Sequence, residues 1–277
     1  MSVPSTLGLI AGNGQYPLTV IRAARKAGVS RIVVAAFHNE TDPAVAAEAE
    51  VVEWLRVGQL GRLIAFFRRA GVTDAMMAGQ IAPRNLFDLR PDLRALLLLG
   101  KLKRRHAESI FGAIADELAK DSITLLPATT FLDDLLPAPG PVCGPAPTSR
   151  QQADVAFGFR IAKEMSRLDI GQSVVVKCGT VLAVEAFEGT DECLKRGGAL
   201  GKGGATLAKV SKPGQDFRFD VPVVGPRTIR HAAEAGISVV AVEARSTLLL
   251  GLDEMRALCD QYRISLVATA GGEPEAR

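Results

Sequence analysis

The sequence predicts an α/β protein of two domains, an N-terminal Rossmann-like domain with a parallel sheet and a C-terminal mixed α/β domain. Two observations carry this prediction. Short apolar runs alternate with stretches of helical periodicity along the first half, which is typical of βαβ units and parallel sheets. A proline-rich stretch over 138–148 then interrupts every regular pattern. We therefore predict domains over 1–137 and 149–277, joined by a linker over 138–148.

In the N-terminal domain, apolar runs predict the strands, and glycines punctuate the helices between them. Pro17 suits the first turn of the first helix. The predicted elements are strand 7–11, helix 18–27, strand 31–37, helix 44–49, strand 51–57, helix 60–70, strand 75–78, helices 88–98 and 101–120, strand 123–127 and a helical turn over 131–136.

In the C-terminal domain, a hairpin broken at Gly179 is followed by a helix that begins near Thr190 and is expected to end at Gly197 and Gly198. The predicted elements are helix 150–168, strands 173–177 and 181–186, the helix from 190, strands 206–210 and 217–221, helix 226–235, strand 237–242, helix 252–261 and strand 264–268.

Composition excludes several classes of protein. The 33 basic and 30 acidic residues nearly balance, and aromatic residues make up 5% of the chain, so no nucleic-acid partner is expected. The four cysteines show no CxxC spacing and are expected to be reduced core residues. The three histidines lie far apart and form no metal motif.

No run of 18 apolar residues occurs, and the uncharged N-terminal stretch lacks the basic region of a signal peptide, so a cytoplasmic protein is expected. One basic cluster stands out, Lys101 with Lys103, Arg104 and Arg105. It is either a solvated helix face or a contact for phosphate or anionic lipid.

The first candidate site is the loop Gly12-Asn13-Gly14 between a predicted strand and helix. Glycines let a backbone approach a ligand, and the helix N-terminus behind them attracts phosphate. The third glycine of the dinucleotide fingerprint is replaced by Pro17. The loop is therefore a tight turn, a phosphate cradle or, least in keeping with the pattern, an NAD site.

The second candidate is acidic, with Glu185, Glu188 and Asp191 at a strand end and a helix start. Such residues either hold a hard cation beside a phosphate or simply cap the helix.

The third candidate is the run Asp216-Phe217-Arg218-Phe219-Asp220. If it is extended, the two aspartates and the arginine share one polar face. An acid there could bind a metal or activate water while the arginine holds a phosphate, and the alternative is a salt-bridged edge strand. The helix that begins after Gly225 is a further anion site.

Together these stretches resemble the LpxI type of UDP-2,3-diacylglucosamine pyrophosphatases, which serve lipid A synthesis. The resemblance covers nearly the whole chain and departs from the family pattern at Gln80 and over 100–110. The matching residues are 8–14 with Pro17, 169–176, 183–185, 188–191, Lys209, 212–222, Gly225, Pro226 and Thr228.

The resemblance implies a Mg²⁺-dependent hydrolase that cleaves the diphosphate of UDP-2,3-diacylglucosamine to UMP and 2,3-diacylglucosamine 1-phosphate, called lipid X. It also implies a homodimer. Because a diacylated substrate sits in a bilayer, transient contact with the inner membrane is expected. The alternatives are a Rossmann-type dinucleotide-dependent oxidoreductase and a non-catalytic binder of an acylated sugar nucleotide.

The residue roles follow from the same resemblance. Asp220 is expected to be the essential carboxylate, binding metal or positioning water, with Asp216 and Arg218 as further catalytic residues and Asp191 as a second metal ligand. The expected substrate-binding residues are Gly12, Asn13, Gly14, Gln80, Glu188, Gly189, Thr190, Asp191, Lys209, Lys212, Gln215, Gly225 and Thr228.

Overall fold

A computed structural model of the protein describes residues 3–81, 91–102 and 107–270. Its internal contacts divide the chain into two compact units. Unit 1 comprises the chain up to Asp133 together with Asp216–Asp220, and unit 2 comprises Asp134–Gln215 and the chain from Val221 onward. Five residues from the second half of the sequence thus belong to the unit formed by the first half.

Unit 1 carries a five-stranded sheet with the order β3-β2-β1-β4-β5, in which every pairing is parallel. The order reverses between β1 and β4, so the loops that follow these two strands lie side by side at the carboxyl edge of the sheet. The elements are β1 (Thr6–Ala11), α1 (Tyr16–Lys26), β2 (Arg31–Phe37), α2 (Pro43–Ala47), β3 (Val51–Leu55), α3 (Leu60–Arg69), β4 (Asp74–Ala78), α4 (Leu93–Lys101), α5 (Ala107–Lys120) and β5 (Thr124–Leu125).

Unit 2 follows a 3₁₀ turn at Asp133–Leu135 and carries a mixed six-stranded sheet, with the order β6-β13-β11-β9-β7-β8, and a separate parallel pair, β10 and β12. The elements are β6 (Gly140–Cys143), α6 (Ser149–Arg167), β7 (Ser173–Lys177), β8 (Thr180–Val184), α7 (Thr190–Gly201), β9 (Ala205–Lys209), β10 (Val223–Val224), α8 (Pro226–Glu234), β11 (Ile237–Glu243), β12 (Leu248–Leu249), α9 (Leu252–Tyr262) and β13 (Ser265–Thr269).

The direction of the strands determines where polar side chains can gather in unit 2. Strands β9, β11 and β13 are parallel, whereas β7 is antiparallel to both β8 and β9. The carboxyl ends of β8, β9 and β11 and the start of β7 therefore meet at one edge of the sheet. One face of the sheet packs against α6, and the other face packs against α7, α8 and α9. The predicted α/β class, with a parallel and a mixed sheet, is confirmed.

Two expectations about proline and glycine were wrong. The stretch assigned to a linker contains the edge strand β6, which pairs antiparallel with β13 and tolerates Pro141 because an edge strand has one paired side. Helix α7 does not end at Gly197 and Gly198 but continues to Gly201. Gly198 allows close packing, because a Cβ at this position would lie 2.0 Å from the carbonyl oxygen of Ala235.

Other expectations met mixed outcomes. Cys193 and Cys259 are buried as predicted, whereas Cys178 is exposed. Helix α4 begins later than the predicted 88–98, and residues 88–90 lie outside the described part of the chain. Helix α5 is described from Ala107 rather than from Lys101, and of the predicted basic cluster only Lys101 is described, exposed at the end of α4.

Candidate active site

The segment Asp216–Asp220 is a turn and not the predicted strand. The backbone N–H groups of Phe219 and Asp220 both donate to the carbonyl oxygen of Asp216, at 3.2 and 3.0 Å. Alternation of polar and aromatic residues suggested an extended backbone, but the same spacing is compatible with a tight turn. The shared strand face proposed for Asp216, Arg218 and Asp220 therefore does not exist, although the turn keeps all three close together in sequence and space.

Two contacts in unit 1 anchor this turn. The N–H of Ala128 donates to the carbonyl oxygen of Phe217 at 2.7 Å, and the ring of Phe219 lies 5.6 Å from that of Phe111. The carbonyl oxygen of Ala128 in turn accepts a hydrogen bond from the hydroxyl of Tyr16. Burial raises the pKa of Tyr16, so this hydroxyl remains a donor at physiological pH.

The turn holds its own ion pair. The guanidinium of Arg218 donates to both carboxylate oxygens of Asp216, through Nε at 2.9 Å and Nη2 at 2.6 Å. These hydrogen bonds from Arg218 are the main reason that the pKa of Asp216 lies below its ordinary value. Asp216 therefore orients Arg218, while the half-buried Asp220 closes the turn four residues later.

The glycine loop of unit 1 lies at the reversal of strand order, where open α/β sheets bind ligands. Asn13 bridges to Gln80 after β4, with its N–H 2.8 Å from the carbonyl oxygen of Gln80. A Cβ on Gly12 would lie 2.5 Å from that oxygen, so Gly12 permits the two loops to approach each other. Gly14 is exposed with φ of +86° and open space around its Cβ position. Gly14 is thus the glycine of this loop with room for a ligand.

A polar cluster in unit 2 brings together side chains from four elements. The Nζ of Lys209 lies 3.2 Å from the hydroxyl of Thr190, which donates to Glu185 Oε1 at 3.0 Å. The hydroxyl of Ser173 lies 3.3 Å from the same Thr190 oxygen. Glu185 Oε2 is buried and has no hydrogen-bond partner among the described residues. An orphaned carboxylate oxygen favours a ligand that can donate a hydrogen bond.

The first turn of α7 lies beside this cluster. Its N-cap, Gly189, supplies no side-chain cap, so the backbone N–H groups of the first turn are available to an anion. Gly189 and Thr190 were predicted here. Ser173, which reaches the cluster from the antiparallel strand β7, lies in the matching stretch 169–176 but was not predicted as a site residue.

Two acidic residues of this region, Glu188 and Asp191, lie beside basic side chains. Glu188 pairs with Arg196, and Asp191 accepts from Arg227 and lies 3.0 Å from Nδ1 of His231. Burial opposes ionisation of Asp191, but His231 and Arg227 outweigh it and lower its pKa. Asp191 therefore links α7 to α8, a role that the sequence did not indicate.

Two further predicted residues follow β9. The side chain of Lys212 pairs with Asp169, and its backbone N–H donates to Gln215 Oε1 at 2.7 Å. Gln215 is buried, and its Nε2 has no hydrogen-bond partner among the described residues. This orphaned donor suits a phosphate oxygen. Gly225 and Thr228 lie at the start of α8, where Gly225 is the N-cap.

The magnesium ion that the resemblance implies would require carboxylate oxygens from these side chains. Across residues 3–81, 91–102 and 107–270, no three His, Cys, Asp or Glu side chains are placed to hold a metal together. Mg²⁺ is commonly bound through one or two carboxylates plus substrate phosphates. Asp220 is the predicted source of such a carboxylate, and Asp191 accepts from Arg227 and lies beside Nδ1 of His231.

Models of known protein families match nearly the whole chain. The LpxI N-terminal domain matches residues 6–135, and the LpxI C-terminal domain matches residues 138–267. The chain belongs to the LpxI family. A relative from Caulobacter vibrioides (strain ATCC 19089 / CIP 103742 / CB 15) is named UDP-2,3-diacylglucosamine pyrophosphatase LpxI. It is 31% identical to this chain over 282 residues, and the match covers 98% of this chain and 99% of the relative.

A solved structure, the biotin carboxylase subunit of pyruvate carboxylase, shows 14% sequence identity and a TM-score of 0.25. The match covers 61% of this chain and 34% of the carboxylase chain. Similarity at this level supports no conclusion about fold or function. Among the described residues of the LpxI chain, no helix is both long and apolar enough to cross a bilayer.

Proposed function

We propose that this protein hydrolyses the diphosphate of UDP-2,3-diacylglucosamine to UMP and 2,3-diacylglucosamine 1-phosphate, lipid X. The observation that carries the proposal is membership of the LpxI family, with a full-length relative named for this substrate. The cationic and orphaned polar groups at the carboxyl edge of the unit 2 sheet support it, since they suit a ligand that combines phosphates with hydrogen-bond donors.

In the proposed reaction, water attacks one phosphorus of the diphosphate, and the bond from that phosphorus to the bridging oxygen breaks. Bound Mg²⁺ would neutralise charge on the diphosphate oxygens. Lys209, Lys212, Arg218 and the Nε2 of Gln215 bind phosphate oxygens, and Asp216 holds Arg218 in a fixed orientation. Asp220 either accepts the proton of the attacking water or serves as the metal ligand.

The remaining predicted residues are assigned to the substrate. Gly14, with Asn13 and Gln80, forms the open part of the loop at the strand-order reversal. The first turn of α7, over Gly189 and Thr190, takes an anionic group, and Glu185 accepts a hydrogen bond from the ligand. Gly12, Glu188, Asp191, Gly225 and Thr228 support the loops and helix starts that carry these groups.

Turnover with product identification tests this proposal against the alternatives. Wild-type protein with UDP-2,3-diacylglucosamine and Mg²⁺ should release equal amounts of UMP and lipid X, and EDTA should abolish the release. A non-catalytic binder would retain the substrate without release. An oxidoreductase would bind a nicotinamide dinucleotide and change its absorbance, and either result would overturn the hydrolase.

We further propose that the protein acts in the cytoplasm as a homodimer and contacts the inner membrane through α4. Leu93, Leu96 and Leu97 share one face of this helix, are 73%, 52% and 57% exposed, and precede the exposed Lys101. An exposed apolar stripe beside a cation suits an anionic bilayer surface. Neither Leu168 nor Leu200 belongs to this stripe, although both are exposed to a similar degree.

Sedimentation with phosphatidylglycerol vesicles tests the membrane contact. Changing the three leucines of α4 to serine should reduce co-sedimentation, whereas the matched changes Leu168→Ser and Leu200→Ser should not. Equal sedimentation of all variants would contradict a contact through α4.

Light scattering of the wild-type protein in solution tests the homodimer. The measured mass should be that of two chains.

A further inference from the structure

A partly buried ion pair in unit 2 lies outside every motif described above. The Nζ of Lys163, on α6, lies 2.7 Å from each carboxylate oxygen of Glu243, at the end of β11. Glu243 is 7% exposed. Replacing such buried pairs by apolar residues is often neutral or stabilising, so stability alone is a weak reason for a protein to keep one.

Both partners of this pair bind the same residue, Ser211. The N–H and the hydroxyl of Ser211 each donate to Glu243 Oε2 at 2.7 Å, and its carbonyl oxygen accepts from Lys163 at 3.0 Å. Every hydrogen-bonding group of Ser211 is therefore used. Three elements that are distant in sequence, α6, β11 and the loop after β9, meet at this one buried residue.

Ser211 lies two residues after Lys209 and directly before Lys212, and the loop continues through Gln215 into the Asp216–Asp220 turn. We propose that Lys163 and Glu243 are positioning residues that act through Ser211 to hold the loop 210–215 in its binding geometry. The role in turnover rests on the proposed function. The immobilisation of the loop does not depend on the proposed function, because it is predicted from contacts within the protein.

Amide hydrogen exchange in the ligand-free protein tests the immobilisation directly. Glu243→Gln should speed exchange in 210–215 by about 10-fold or more while the rest of unit 2 exchanges as in wild type. The matched control is Glu192→Gln, which alters an exposed ion pair with Lys195 at 2.6 Å and should leave the loop unchanged. Unchanged exchange in 210–215 of folded Glu243→Gln would overturn the proposal.

A second pair of variants covers the case in which Glu243→Gln does not fold. Ser211→Ala removes the hydroxyl that donates to Glu243 Oε2 at 2.7 Å and accepts from Lys163 Nζ at 3.5 Å, and it leaves the Lys163–Glu243 pair intact. Ser211→Thr keeps the hydroxyl. Ser211→Ala should speed amide exchange in the loop and lower kcat by about 10-fold, since small displacements of binding groups have large rate effects. Ser211→Thr should keep both the loop exchange and kcat at their wild-type values. A lower melting temperature with normal loop exchange and normal kcat of the folded fraction would show a merely structural role.

The two proposals fail separately in these experiments. If wild-type protein releases no UMP while Glu243→Gln still loosens the loop, the proposed function fails and the positioning role of the pair stands. If wild-type protein turns over and the loop exchanges equally in all variants, the positioning role fails alone.

Discussion

Replacing Phe219 by alanine should impair turnover without unfolding the protein, because this ring fastens the Asp216–Asp220 turn to unit 1. The ring of the half-buried Phe219 lies 5.6 Å from that of Phe111 and 5.9 Å from the guanidinium carbon of Arg218. An aromatic pair contributes about 0.5–1.5 kcal/mol beyond its buried area. Partial burial of a phenylalanine side chain adds about 1 kcal/mol.

The loss of about 2 kcal/mol lowers the ratio of anchored to released turn by about 30-fold. The hydrogen bond from Ala128 to Phe217 persists, so kcat for UMP release should fall by about 3- to 30-fold rather than vanish. Initial rates at saturating substrate give kcat, and circular dichroism gives the folded fraction. Phe187→Ala is the matched control, because Phe187 is fully exposed in unit 2. If folded Phe219→Ala turns over within 2-fold of wild type, the ring does not anchor a functional turn.

Three further predictions concern local geometry. In urea titrations, Gly12→Ala should lower the free energy of unfolding by about 1–3 kcal/mol more than Gly14→Ala. Only the substitution at Gly12 places a Cβ against the loop after β4, and equal losses would contradict this. Gly198→Ala should destabilise the protein in the same titrations by at least about 1 kcal/mol, and a neutral effect would refute the close packing of α7. Because Arg218 holds the pKa of Asp216 below its ordinary 3.8, the pair stabilises the folded state above that pH and the contribution is lost as pH falls further. The stability difference between wild type and Arg218→Leu should therefore stay constant above about pH 5 and shrink as the pH falls below 3.8, and a difference that stays constant below pH 3.8 would count against the pair.

Regular elements were predictable wherever one local signal determined them. Strand β2 was predicted with its observed bounds from a single apolar run, and Pro17 correctly marked the start of α1. Glycine and proline were misread where tertiary packing decided their role. Gly198 lies inside a helix at a position where the backbone of Ala235 leaves no space for a side chain. Pro141 lies in an edge strand. Neither neighbour is visible in a local pattern.

The candidate site divides in the same way. Lys209, at the end of β9, and Thr190, at the start of α7, were predicted from the matching stretches, and the fold brings their side chains together. The turn at 216–220 was misread as a strand because period-two alternation does not distinguish an extended backbone from a turn closed by its own carbonyl oxygen. The Lys163–Glu243 pair gave no signal, because its members lie 80 residues apart and meet only through the sheet.

The most direct test of the proposed function compares UMP release from UDP-2,3-diacylglucosamine by wild type, Asp220→Ala and Asp253→Ala, each with Mg²⁺ and with EDTA. Asp253 is a matched control because its carboxylate is almost fully exposed on α9. We predict Mg²⁺-dependent release by wild type and Asp253→Ala, and a loss of at least about 100-fold in folded Asp220→Ala. Release by Asp220→Ala at the wild-type rate would contradict the assignment of the essential carboxylate, and no release by wild type would contradict the hydrolase itself.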